Sequence, residues 1–223
     1  MNIIKYFLLP VMLVSNLYAL NPTSVGVLTK IIQTVEYKAV ETENWGSAKL
    51  GSVVFNGDEV RTGSRSLALL KFLDNSLIRV RENTIVTVYG SKEENKLNKN
   101  TFIEKGRVGF EITKQSDEEF KFTTPTGVAS IRGTKGFFDV PLDGSMLIFV
   151  KEGIVDIESL LGSKATGSVS AGKFAKIDTA GELTIEDAGD EFESQYQAME
   201  KDSVKKIRIK LDNGEEFILE YLD

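Results

Sequence analysis

From Ser24 to about Ile185 the chain alternates short runs of Val, Ile, Leu and Phe with Gly, Asn, Asp and Lys, a rhythm that predicts many short β-strands joined by tight turns. Helical spacing of apolar residues is hard to find there. The apolar run at residues 67–73 meets Asp74-Asn75-Ser76 and resumes at 77–80, which reads as strand, turn and strand. Residues 137–140 reach Asp143-Gly144 and return as 145–150. Both faces of that returning strand are apolar, so it is expected at the centre of the core, covered on both sides.

A small pattern recurs: an apolar residue, two others, Gly, one residue, then an apolar residue. It runs from Ile103 to Val108 around Gly106, from Val150 to Val155 around Gly153, and from Val169 to Phe174 around Gly172, with a looser copy around Gly57. Each copy sets Gly where a strand must turn sharply, because Gly takes positive φ without a Cβ clash. The spacing is uneven, so two architectures remain open: a solenoid-like stack sharing one core, or unrelated hairpins in an ordinary β-sandwich. Between Ser91 and Asn100 nearly every residue is polar, which reads as a solvated loop.

The C-terminal piece differs. Asp190 suits an N-cap with Glu193 three residues on, and Phe192, Tyr196 and Met199 follow at helical spacing. One short amphipathic helix is expected, its apolar stripe a docking face rather than a cofactor site. Residues 204–211 and 215–222 then alternate around Asp212-Asn213-Gly214. A three-residue turn with Gly214 left-handed pairs Ile209 with Phe217, Ile207 with Leu219 and Lys210 with Glu216, whereas a two-residue turn mixes charged and apolar groups on one face. The apolar face of this hairpin needs a cover, from the helix, the β-domain or a second chain.

Residues 1–19 carry Lys5, an apolar run and a short polar stretch ending in Tyr18-Ala19, the layout of a secretory signal peptide. That run falls well short of the roughly 20 residues that span a bilayer, so cleavage before Leu20 and a periplasmic or secreted product are expected, without a stable membrane span. Removing Lys5 moves the net charge from −6 to about −7, and the basic residues are scattered, which disfavours nucleic acid as a partner. The remaining roughly 200 residues suit one or two domains.

The chain holds neither Cys nor His. Disulfides, a lipid-bearing cysteine, thiol nucleophiles, His-ligated metals and Ser-His-Asp catalysis are thereby excluded. Ser203 and Lys206 match a bare Ser-x-x-Lys spacing, but they precede a strand instead of opening a helix. The acidic stretches Asp117-Glu118-Glu119 and Glu186-Asp187 read as solubilising charge; paired carboxylates across a cleft could serve a glycosidase. No calcium-loop or phosphate-loop pattern is present, so no catalytic, cofactor or metal residue is assigned. Arg132 beside Gly133, Thr134 and Lys135 is the nearest approach to an anion site; alternatively Arg132 serves carbonyls at a strand corner.

Several of these residues, taken in order, resemble the signature of the FecR domain. Gly57-Asp58, Val60, Thr62-Gly63 and the strand leading to Asp74-Asn75-Ser76 are similar to its first half. Gly106-Arg107-Val108, Phe122 with Thr123-Thr124-Pro125, Arg132-Gly133-Thr134 with Phe137, and Val150 with Glu152-Gly153 and Val155 are similar to its second. The resemblance covers about residues 50–160. It implies a β-rich, solenoid-like periplasmic domain, in a family whose name-giving member relays a transporter's state to a sigma factor. Here a short signal peptide leads almost directly into the β-domain, so direct control of a sigma factor is not expected. Gly57, Asp58, Thr62, Gly63, Thr124, Pro125, Arg132, Gly133, Thr134 and Gly153 are taken as structural turn residues.

The sequence thus describes an all-β chain, solenoid-like or a sandwich stack of short strands, with a short C-terminal helix and hairpin. Its expected parts are a signal peptide (1–19), a β-rich domain (20–185) and a C-terminal helix plus hairpin (186–223). The expected function is non-enzymatic: binding an envelope protein or cell-wall polymer, with relay of an envelope or transport signal in view. The competing reading is a polysaccharide-active enzyme using carboxylates.

Overall fold

The computed structural model describes residues 23–93, 96–114, 118–201, 204–211, 214 and 216–222. The signal peptide expected at 1–19 lies outside them. The strands form two layers that share one long strand, β9 (Lys96–Glu111). The first layer, A, runs β4 (Val53–Phe55), β1 (Ser24–Ile32), β6 (Leu67–Phe72), β7 (Leu77–Val80), the second half of β9, β12 (Lys135–Val140), β13 (Met146–Glu152), β16 (Lys173–Ile177) and β17 (Leu183–Asp187). The second, B, runs β3 (Gly46–Ser47), β2 (Val35–Lys38), β5 (Asp58–Thr62), β8 (Ile85–Glu93), the first half of β9, β10 (Phe120–Thr123), β11 (Gly127–Ile131), β14 (Ile154–Ser159) and β15 (Thr166–Ser170). Pairing is antiparallel except for β10 on β9.

The chain crosses between layers repeatedly, and a left-handed residue stands at most crossings. Gln33, Gly57, Asn83, Gly106, Gly133, Gly153 and Gly172 all have φ between 55° and 101°. The recurring glycine pattern therefore marks layer crossings, and β9 itself bends at Gly106. A Cβ there would stand 2.3 Å from Thr84 Oγ1, and one at Gly153 would stand 2.7 Å from Thr134 Oγ1. Two crossings are thus locked alike, a buried Thr hydroxyl against a Gly.

Between the layers the side chains alternate inward with the period of two that strands impose. Phe110, Phe122 and Phe138 meet with ring centroids 4.8 to 5.4 Å apart and are fully buried, as are Leu70, Ile78, Ile103 and Ile148 around them. Each such side chain contributes roughly 1.5–3 kcal/mol of transfer free energy. On β13, Ile148 and Val150 face this core while Phe149 faces outward beneath a helix, so the strand is covered on both sides as its composition requires.

That helix, α1 (Asp190–Glu200), lies on the outer face of layer A. Phe192 stacks on Phe174 at 4.4 Å, and Tyr196 and Met199 bury against Phe137 and Phe149. The apolar stripe is a docking face, as its spacing predicts. Its start differs by one residue from expectation: Gly189 holds the cap position and no side chain caps the helix. Glu193, expected to turn back toward the cap, instead takes Lys151 Nζ at 2.8 and 2.9 Å.

Two further expectations are corrected. The polar stretch at 91–100 is not a loop, because β8 and β9 pair through it from Ser91–Asn98 to Glu93–Lys96; backbone hydrogen bonding carries the strands beyond the point where the apolar core ends. Glu118 is not merely solubilising charge, since it holds the buried Lys99 at 2.6 Å. At the C-terminus β18 (Val204–Lys210) pairs with β19 (Glu216–Leu222) in the register of Ile209 with Phe217 and Lys210 with Glu216, with Gly214 at φ 87°.

Candidate functional site

The ten signature residues are distributed over separate corners of the two layers. Asp58, 1% exposed, accepts hydrogen bonds from Phe55 N at 2.7 Å, Val40 N at 3.0 Å and the Tyr37 hydroxyl. It satisfies the turn that Gly57 opens. Thr62 donates to Arg81 O and accepts from Thr84 N at 3.1 Å, so it ties β5 to the next crossing. Gly63 N–H donates to Thr34 O at 2.9 Å. Around the exposed Pro125, Thr124 Oγ1 accepts from Gly127 N at 3.0 Å. Gly133, Thr134 and Gly153 do come together, where Thr134 Oγ1 donates to Ile154 O at 3.0 Å.

Arg132 is exposed at that corner, and Thr134 serves the Ile154 carbonyl. Lys135, its neighbour in the anion-site reading, stands 3.2 Å from Glu152 and 3.7 Å from Glu111, and its pKa is raised chiefly by the Glu152 hydrogen bond. Two carboxylates therefore already share its charge.

The two outer faces of the sandwich are unlike. The outer face of layer A carries α1, whereas that of layer B presents rows of mostly polar side chains. Register places Thr87, Phe102, Thr123, Val128, Glu158 and Thr166 side by side across β8, β9, β10, β11, β14 and β15. A parallel row runs Tyr89, Asn100, Lys121, Ser130, Asp156 and Ser168. The last four strands enclose a shallow groove of about 580 Å³ floored by both rows. Sequence alternation within β11 and β14 already separates inward Ala129 and Ile157 from outward Ser130 and Asp156, but only the pairing order sets the outward groups in line.

Farther along the same layer the one Trp of the chain, Trp45, lies over the Arg61 guanidinium at 4.2 Å and the Lys38 ammonium at 5.2 Å. Arg61 grips Glu36 through two hydrogen bonds of 2.6 and 3.0 Å, which hold the Glu36 carboxyl below the usual carboxylate range. Neither Trp45 nor this pair was singled out by sequence, because Trp45 sits in an irregular connection outside any strand.

The groove can recognise but is poorly arranged to cleave. Asp156 and Glu158 lie two residues apart on one strand, hence on one wall, both exposed, with Asp156 Oδ1 accepting from Ser168 Oγ at 2.5 Å. Glycoside hydrolysis needs its carboxyl groups on opposite sides of the bond to be broken. Among the described residues no group of His, Cys, Asp or Glu is gathered to hold a metal, and no helix is long and apolar enough to cross a membrane.

The body is two-layered and all-β, and the signature residues lie at or beside its turns and layer crossings. Residues 58–156 match the family described as FecR protein, so this segment is similar to a FecR domain. Two crystal structures of a "putative anti-sigma factor" from Parabacteroides distasonis, at 2.50 and 1.65 Å resolution, share the fold with TM-scores of 0.53 at 11% identity. The match covers 63% of this chain and 64% of theirs, so it spans less than two thirds of those proteins. Comparison with curated proteins finds no match.

Proposed function

We propose that this protein is an exported, non-enzymatic FecR-domain scaffold of the bacterial envelope that holds a partner on the outer face of layer B. In this reading residues 20–185 form the scaffold and 186–223 an accessory that closes the other face. The FecR domain and the fold shared with an anti-sigma-factor-like protein favour a signalling role, relaying an envelope or transport signal through protein contact. The single observation that carries the choice of surface is the asymmetry of the two outer faces: α1 covers Phe137 and Phe149, while the groove around Lys121, Ser130 and Asp156 stays open. Either an envelope protein or a cell-wall polymer would use such a ladder of hydroxyl, amide and charged groups.

The test is crosslinking capture from the native envelope with the wild-type protein and with Ser130→Lys and Lys121→Glu variants. Wild type is expected to recover one partner that both variants lose while their circular dichroism is unchanged. Equal recovery by all three would remove the face of layer B from the function. Turnover of a glycan that depends on Asp156 or Glu158 would reassign the protein to the polysaccharide-active class.

A further inference from the structure

At the end of the sandwich away from that face, three strand crossings and α1 meet around a cavity of about 290 Å³ lined by Arg65, Arg81, Glu82, Arg107, Ala198 and Met199 among others. It adjoins a second groove of about 390 Å³ that shares Glu82 and Arg107 and continues past Lys105 and Asp139 to Leu142, which is 86% exposed. The protein as a whole carries a net charge of −6, yet here four cations face two carboxylates.

Both carboxylates are committed. Glu82 Oε2 accepts from the backbone N–H of Arg65 at 2.7 Å, and Asp139 Oδ2 accepts from Arg107 Nε at 2.8 Å. Arg65 stands left-handed at φ 51°, held in that conformation at the crossing between layers. Arg81 Nη1 donates to Lys201 O at 3.1 Å, just past the helix end, and so borders the cavity from the side of α1. Arg107 keeps its side chain 54% exposed despite its pair. The floor offered by Ala198 and Met199 is apolar, so the site combines a cationic rim with a hydrophobic base.

We propose that this continuous groove binds an extended acidic peptide segment of a partner protein, its carboxylates on Arg65 and Arg107 and an apolar side chain against Met199. Guanidinium groups favour carboxylates through charge-assisted, two-pronged hydrogen bonds. Two joined cavities are longer than a single small anion requires. The site is separate from the face of layer B, so loss of one leaves the other intact.

The test is fluorescence anisotropy of the intact protein with a labelled peptide alternating Glu and Leu, beside the same peptide carrying Gln for each Glu. The acidic peptide is expected to saturate, and its affinity to fall about tenfold in Arg65→Asn and in Arg107→Gln. Glu82→Gln, which keeps the acceptor and removes a negative charge, is expected to tighten binding; a merely structural role would not. Lys49→Gln, in the connection before β4, should change nothing. Equal affinity across these variants, or equal binding of the Gln peptide, would overturn the proposal. Displacement of the peptide by inorganic phosphate at equal concentration would likewise overturn it in favour of a small-anion site.

Discussion

Lys99 Nζ lies 3.0 Å from Asp74 Oδ2, joining layer B to the turn between β6 and β7 in layer A. The same ammonium takes Glu118 Oε2 at 2.6 Å and Leu97 O at 2.9 Å, and the Lys99 side chain is only 1% exposed. A buried ion pair contributes little over an apolar substitute, but removing one partner strands the others' charge. Lys99→Met is therefore expected to lower the unfolding free energy by about 3 kcal/mol, since Asp74 and Glu118 are left facing each other. Urea denaturation measures it, and a loss well below about 1 kcal/mol would mean that water screens the cluster.

Asp58 accepts from three donors and is itself buried, so Asp58→Ala leaves the amides of Val40 and Phe55 and the Tyr37 hydroxyl without their acceptor. A buried unsatisfied donor costs about 1–3 kcal/mol, and the substitution is expected to cost about 3 kcal/mol in all. Asp58→Asn keeps one acceptor oxygen and should fall between. The denaturation midpoints of the two variants rank them.

The crossings differ in how much room they leave. Gly172 has φ 79° with no heavy atom near a would-be Cβ, so Gly172→Ala carries only the left-handed penalty of about 1–2 kcal/mol. Gly106 has φ 101° and its Cβ would clash with Thr84 from Oγ1 to Cα, at 2.3 to 2.7 Å, so Gly106→Ala should cost about 3 kcal/mol or more. Thermal unfolding of the two variants gives the comparison. Equal losses would show that the Thr84 lock yields easily.

Phe192 stacks on Phe174 and Phe149 and is central to the seat of α1. Phe192→Ala is expected to destabilise docking by about 2 kcal/mol, below the range for fully buried rings because Phe192 is half-buried. Amide exchange should quicken across Asp190–Glu200 while the strands of layer B keep their protection. Uniform loss of protection would show that helix and sandwich unfold as one unit.

Alkaline stability follows from two phenols. Burial, then the hydrogen bond and charge of Asp58, push Tyr37 far above its ordinary value of 10.0; burial, then Glu200, push Tyr196 in the same direction. A folded value raised above the unfolded one favours the protonated form, so the stability contributed is whole below pH 10 and is lost as pH climbs through the folded values. Urea midpoints should decline above about pH 10, with a shallower slope for Tyr37→Phe. An unchanged slope in that variant would remove Tyr37 from the effect.

The glycine pattern was legible because its cause is local: Gly106, Gly153 and Gly172 are turn points whatever surrounds them. The hairpin register was legible for a similar reason, since the period of two couples charge and apolarity on both strands at once. The β8–β9 hairpin was misread as a loop because Lys92, Asn95 and Lys96 have the composition of one; a strand beyond the core's edge is held by backbone bonds that composition does not report. Glu118 was misread because its partner lies in another element.

Sequence alone determined that this chain is a β scaffold with corners at its glycines and a helix bearing one apolar stripe, since those features depend on steric preference and periodicity within a few residues. Tertiary structure alone decided which strands share a layer, that Lys99 meets Asp74, and that the outer face of layer B stays open while α1 closes the other. Both layers use the same alternation of inward and outward side chains, so no local pattern can tell one from the other. Only the order of pairing across the sandwich separates them.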